Sequence, residues 1–297
     1  ASVDDSVQIA RRHGAAVITV VGGPKGPAHA RNEGVARTTC DVVVFVDADV
    51  SVHADALARL DDRLLADPEL DAVFGSYDDA PADPGLVSQY KNLQHHWVHQ
   101  HGERVAHTFW AGCGAVRRSA FLAVGGYDEG FARPAIEDIE FGIRLSDAGR
   151  RIELDPAILC THLKRWTLRS MLRADVVGRA MPWSRLIARR GHAPRDLNLA
   201  VTGRASGVLA WGALLGAVLA FVSPTAACLG LAALAGMIYL NRGFYHLLWR
   251  RGGWQLLLVG IALHWGYYLY AAAIFGCVAA PRLAWRALGR TTRAQPS

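Results

Sequence analysis

Over its first 165 positions the chain switches repeatedly between short apolar runs and stretches with apolar residues three or four apart; beyond position 204 it is almost continuously apolar. Residues 5–12 read as a helix and Ala16–Val20 as a strand. Gly22-Gly23-Pro24-Lys25-Gly26-Pro27 carries strong turn chemistry and opens onto a helix over Ala28–Ala36. Val42-Val43-Val44-Phe45-Val46 is β-branched or aromatic throughout, the mark of a strand buried on both faces. A helix is predicted over Ala54–Leu65, a strand near Ala72–Gly75, and a helix over Glu137–Ala148. Ala106–Trp110, Arg151–Leu154 and Ala157–Cys160 have strand character. Helices and strands alternating through short links predict a parallel or mixed α/β sheet.

The apolar end has a different logic. Ala205 to Asn241 is a run of 37 uncharged residues and Gly252 to Pro281 one of 30. A membrane-crossing helix needs about 20 apolar residues, so each run is long enough, and Ser223-Pro224 marks a hairpin point within the first. Two to three passes are expected, with a short or re-entrant segment at Thr225–Leu240 as one solution. Trp211, Trp254, Trp265 and Tyr267 to Tyr270 supply rings suited to the interfaces. Between the two parts, residues 164–195 carry nine basic side chains against Asp175 alone, interleaved with Trp166, Leu168, Met171, Leu172, Val176, Trp183, Leu186 and Ile187. A basic amphipathic segment beside membrane helices predicts contact with anionic lipid head groups.

Charge sharpens this division. The chain has 297 residues and a formal net charge of +6, yet all 26 acidic residues lie at or before Asp196. Residues 197–297 hold eight arginines and no acid, so the excess positive charge belongs to the apolar end and not to a nucleic-acid-binding surface. The five cysteines form no CxxC pair, which argues against a zinc site or disulfide framework and for a reducing, cytosolic setting.

Asp47-Ala48-Asp49 follows the apolar strand directly. In open α/β sheets ligands sit beyond the carboxyl ends of strands, and two carboxylates separated by a small residue suit Mg2+ or Mn2+ shared with phosphate oxygens. From this point the motifs form an ordered set. Lys25-Gly26-Pro27, Ala30-Arg31-Asn32-Glu33-Gly34 and Phe45-Val46-Asp47-Ala48-Asp49 are followed by Gly112-Cys113-Gly114, Arg117-Arg118, Gly125-Gly126-Tyr127-Asp128-Glu129, Glu137-Asp138 and Arg144-Leu145. This order resembles family 2 glycosyltransferases of the GT-A fold across nearly all of residues 1–165.

The resemblance implies a Rossmann-like mixed sheet that transfers a sugar from a nucleotide-sugar donor to an acceptor, usually with inversion. It implies Asp47 and Asp49 as metal ligands, with His162 as a third, and Asp138 as the base that deprotonates the acceptor hydroxyl, with Glu137 beside it. Glu137 and Asp138 also suit a helix N-terminus without any catalytic part. Lys25, Arg31 and Asn32 are candidates to face the nucleotide or phosphates, and Gly112 and Gly114 to let backbone approach the sugar. Arg165-Trp166 is similar to the Arg-Trp of processive members, although His162 stands where their motif has Gln. The chain begins at what resembles the stretch after the family's second strand, so a domain truncated at its N-terminus, with much of the base pocket absent, is expected. The expected division is a GT-A domain over residues 1–163, an interfacial segment over 164–203, and transmembrane helices with a basic tail over 204–297. The expected setting is the inner cell membrane, multi-pass, with the catalytic domain cytoplasmic, a lipid-linked or envelope glycan as acceptor, membrane lipids as partners and no nucleic acid. A nucleotidyltransferase on a related scaffold and a degenerate, non-catalytic membrane scaffold are the alternatives.

Overall fold

The structure, a computed structural model, describes residues 4–20, 22–23, 25–191, 201–283 and 285. A helix α1 (Ser6–Arg12) precedes α2 (Pro27–Ala36), which Gly26 starts at φ 92° and Pro27 continues at the first helical position. The sheet is built from β1 (Val42–Val46), β2 (Val50–Val52), β3 (Leu70–Tyr77), β4 (Val105–Ala106), β5 (Cys113–Arg117) and β6 (Arg151–His162). Its order is β1-β5-β3-β6-β2, with β4 also on β6; among the described residues only β3 and β6 run parallel. The expected mixed sheet is therefore present. Helix α3 (Ala56–Ala66) packs Leu60 and Leu64 against Val73 and Ile158, while α5 (Arg118–Ala123) and α6 (Glu137–Asp147) cover the other face through Phe121, Phe141 and Leu145.

Three strand expectations need correction. Ala16–Val20 has no strand partner among the described residues and is irregular, because an apolar run becomes a strand only when a neighbour accepts its ladder of hydrogen bonds. Ala106–Trp110 contributes only its first residue, after which the chain turns. β1 is a sheet edge with Val44 and Val46 exposed, not a strand buried on both faces; residue type reports strand preference, not the number of flanking strands. In contrast, the two short strands expected around Pro156 are one, since the register shift between Phe74 and Ser76 absorbs the proline. Gly75 makes this possible: a Cβ there would stand 2.3 Å from the Ile158 carbonyl oxygen.

Helix α4 (Leu86–Gln100) leaves the sheet and joins the two halves of the molecule. Its Tyr90 and Leu93 pack with Phe244, Tyr245, Leu248 and Leu256. After β6, α7 (Leu168–Arg173), a π-helical stretch Ala174–Ala180 and α8 (Met181–Arg190) carry the chain across this junction. The expected residues 192–200 of the interfacial segment and the basic tail at Arg286, Arg290 and Arg293 lie outside the described residues.

Helices α9 (Val201–Leu219), α10 (Pro224–Leu240) and α11 (Arg242–Val278) follow. Ser223 caps α10 by accepting from Ala226 N at 3.2 Å, and Pro224 takes the first turn, so the expected hairpin point is realised. Gly216 and Gly230 let the hairpin close: a Cβ on Gly216 would lie 2.3 Å from Gly230 Cα. α11 breaks at Gly252-Gly253, where Gly253 has φ 64°. Val201–Leu219 and the helical run from Arg242 to Leu283 are long and apolar enough to cross a membrane. Their apolar side chains face outward, with Val208 74%, Leu215 59% and Phe221, in the connecting turn, 93% exposed, which is opposite to the core helix of a water-soluble protein.

Candidate active site

β1 ends at Val46, and Asp47 to Val50 form a tight turn in which Val50 N donates to Asp47 O at 3.1 Å. Gly112 O accepts from Asp47 N at 3.3 Å, fixing the turn to the start of β5. The chain then enters β2, which pairs antiparallel with the end of β6 so that Val50 stands opposite His162. That register brings His162 Nε2 to 3.5 Å and Lys164 Nζ to 3.6 Å from Asp49 Oδ2. His162 is buried, with Tyr77 stacked on its ring at 4.5 Å and Asn92 Oδ1 at 2.7 Å from its Nδ1.

Among the described residues no three imidazole, carboxylate or thiolate groups converge on one point. Asp47 turns instead to Arg31, whose Nη2 donates to Asp47 Oδ1 at 2.6 Å. Asp49 and His162 nevertheless form an oxygen–nitrogen donor pair at an open end of the sheet. A hard divalent ion takes such a pair and completes its shell with phosphate oxygens and water, so the donor chemistry fits Mg2+ or Mn2+.

Arg31 holds the second half of the site. Its Nη1 donates to Glu137 Oε1 at 3.1 Å, so one guanidinium from α2 ties the aspartate turn to the start of α6. Glu137 is buried and has both oxygens engaged, Oε2 accepting from Ala135 N at 2.8 Å. Asp138, only partly buried, has the N–H of Ile139 on Oδ1 at 2.8 Å. Removal from water, then the charge of Glu137, pushes its carboxyl up to about 7; Arg31 and the Ile139 N–H pull the other way and lose. The two carboxylates are thus differently placed: Glu137 anchors Arg31, and Asp138 is poised to gain or lose a proton near neutrality.

The remaining predicted residues divide differently. Lys25 is exposed in the loop before α2. Asn32 is fully engaged within the protein, its amide donating to Tyr127 O and Glu129 Oε1 and its oxygen accepting from Tyr127 N at 2.8 Å. It clasps α2 to the Gly125-Gly126 turn. Gly112 and Gly114 serve an internal approach, since a Cβ at either would meet Trp110 at 2.2 or 2.6 Å. Sequence reasoning did not find Asn92, Tyr77 or Lys164; only Lys164, four residues before Leu168 in the basic run, left any signal.

One buried ion pair lies behind the site. Lys91 Nζ donates to Asp175 Oδ1 at 2.6 Å and to Gln94 Oε1 at 3.0 Å, and Tyr270 OH donates to Asp175 Oδ2 at 2.8 Å. The lone acid of the basic segment is therefore the point where α4, the π-helical stretch and α11 meet. Burial pulls the Lys91 ammonium down to about 8 against the attraction of Asp175.

Comparison with known proteins adds an independent line. The family described as "Glycosyltransferase like family 2" matches residues 22–179. The pre-mycofactocin glycosyltransferase of Mycobacterium tuberculosis is 32% identical over 197 residues, covering 63% of this chain and 39% of that protein. The Bacillus subtilis protein named "Probable glycosyltransferase YdaM" is 30% identical over 142 residues, 46% of this chain and 33% of its own length. The chain thus spans between a third and two fifths of the length of these curated relatives. Among solved structures, a mannosyltransferase from Pyrobaculum calidifontis in complex with GDP-Man and Mn2+ superposes with a TM-score of 0.51 at 20% identity, over 93% of this chain and 75% of that one. That likeness is one of fold.

Proposed function

This chain belongs to glycosyltransferase-like family 2, with a GT-A domain followed by apolar helices, and from that premise we propose that it is a membrane-bound, metal-dependent glycosyltransferase. It moves a sugar from a nucleotide-sugar donor to a lipid-linked or envelope glycan acceptor at the cytoplasmic face of the inner membrane. Its working parts are the catalytic domain over residues 1–163, the interfacial segment over 164–203 and the multi-pass helical region over 204–297. The observation that carries the reading is the Arg31 bridge, which ties the Asp47–Asp49 turn to the Glu137–Asp138 helix start.

In this reading Asp49 and His162 would hold a divalent ion with Asp47 beside them, and such an ion would supply positive charge against the diphosphate leaving group. Lys25 lies in the loop that meets the donor phosphates. Asn32, Gly112 and Gly114 shape the wall of the cleft by holding its loops. Asp138 accepts the proton of the acceptor hydroxyl as that oxygen attacks the anomeric carbon from the face opposite the leaving group, which inverts the centre. Glu137 positions Arg31 and raises the basicity of Asp138. Exposed Arg165, Arg169, Arg173 and Arg185, alternating with exposed Leu168, Leu172 and Val177, lay the catalytic domain against anionic lipid.

The test is sugar transfer by membranes containing the full chain, with radiolabelled nucleotide sugars and lipid extracts as acceptor. Asp138→Asn should lower turnover by about 100-fold or more, and the product should carry the anomeric configuration opposite to the donor. Native turnover in Asp138→Asn and in Asp49→Ala would reject these roles.

A further inference from the structure

Asn92 is an unusual residue to bury in a helix that packs between the sheet and the membrane helices. Its side-chain oxygen accepts twice, from Trp166 Nε1 at 3.2 Å and from His162 Nδ1 at 2.7 Å, while its Nδ2 has no partner. An indole N–H can only donate. The Trp166 contact therefore fixes which end of the Asn92 amide faces inward, and an amide oxygen facing His162 requires the proton to sit on Nδ1. In the neutral ring His162 Nε2 then presents its lone pair toward Asp49 Oδ2 at 3.5 Å. A neutral His162 and Asp49 are thus two acceptors turned toward one point, at an oxygen that already has the Lys164 ammonium 3.6 Å away, so the point is one that favours a cation. Tyr77 stacked within 11° of the imidazole plane and Trp166 edge-on at 6.1 Å hold the plane of the ring, and the Asn92 bond sets which edge carries Nδ1.

We propose that Asn92, oriented by Trp166, is a positioning residue for the metal: it holds His162 in the tautomer whose Nε2 points at Asp49. This rests on the metal-binding reading given above and extends it to a residue that touches neither metal nor substrate. Metal-bound histidines commonly donate their second N–H to such an acceptor, and that partner fixes both tautomer and ring. An otherwise costly buried amide with an idle nitrogen is explained by the work of its oxygen.

The full chain in detergent, titrated with Mn2+ alone and read by the paramagnetic resonance of the free ion, provides the test. Asn92→Leu should weaken Mn2+ binding about 10- to 100-fold, whereas Asn92→Asp, which keeps an acceptor oxygen, should retain it. If Asp49→Ala binds Mn2+ like the native chain, the metal reading fails and this proposal falls with it. If Asp49→Ala loses binding and Asn92→Leu does not, the role of Asn92 alone is overturned. Nitrogen-labelled histidine spectra of the metal-free native chain, assigned with His162→Gln, need no Asn92 variant to fold. They should show His162 protonated at Nδ1 and bare at Nε2; the reverse tautomer overturns the proposal.

Discussion

Asp138 connects the chemistry of the site to its cost. Its carboxyl is raised to about 7 in the fold, against about 3.9 for an unfolded aspartate. Transfer that needs the ionised form should therefore rise as pH increases through about 7 and level off above it, and a pH–rate profile checks this. The stability sign is opposite. For an acid whose folded pKa is raised, the folding contribution is complete below the unfolded pKa and is lost as pH climbs through the folded one. Asp138→Asn should thus be inactive yet melt higher than the native chain at pH 8, with the gain gone near pH 4. Lys91 and Asp175 carry the converse lesson. Both are almost fully buried, so Asp175→Asn strands an ammonium without its counterion and should cost about 3–5 kcal/mol in a denaturation experiment. Lys91→Met together with Asp175→Leu should recover much of that loss, since the pair's desolvation disappears with it.

At the scale of elements, what could be read from residue order was whatever the local pattern alone decides. Glu137–Ala148 shows a clear helical stripe, with Phe141 and Leu145 buried, and its acidic start agrees with the helix dipole. Asp47-Ala48-Asp49 stood out because an apolar strand ends in it. Helix α4 gave no such signal, because the face it buries includes Ser88, Lys91, Asn92, Gln94 and His99; periodicity counts apolar residues and passes over a polar core. The π-helical stretch is equally silent, since the residue it buries is Asp175, which meets Lys91 on another helix. Glycine spacing had a different fate: Gly216 and Gly230 could be seen in the sequence but not as a pair, and only the hairpin shows them in contact. Gly216→Leu places a side chain against backbone there. The α9–α10 hairpin should separate, seen as faster proteolysis of the Ala220–Ser223 turn and a lower melting temperature, while Gly266→Leu, at a position with open space around its Cβ, should leave both unchanged.

Over the whole molecule, charge and apolarity are sorted along one direction, from an acidic sheet domain through a basic belt to helices whose exposed side chains include Val208, Leu215, Trp254 and Leu258. A protein so arranged should remain in the pellet after alkaline carbonate washing of membranes, and detergent should release it; recovery in the carbonate supernatant would count against a spanning region. The two halves are not beads on a string. Tyr90 and Leu93 of α4 lie in one apolar cluster with Phe244, Tyr245 and Leu248 of α11, and one turn of α4 also supplies the amide that meets His162. An excised soluble fragment ending near residue 191 would bare that cluster to solvent and loosen the helix whose next residues brace the imidazole. Inhibitor screens run on such a surrogate would be sampling a differently strung instrument from the full chain.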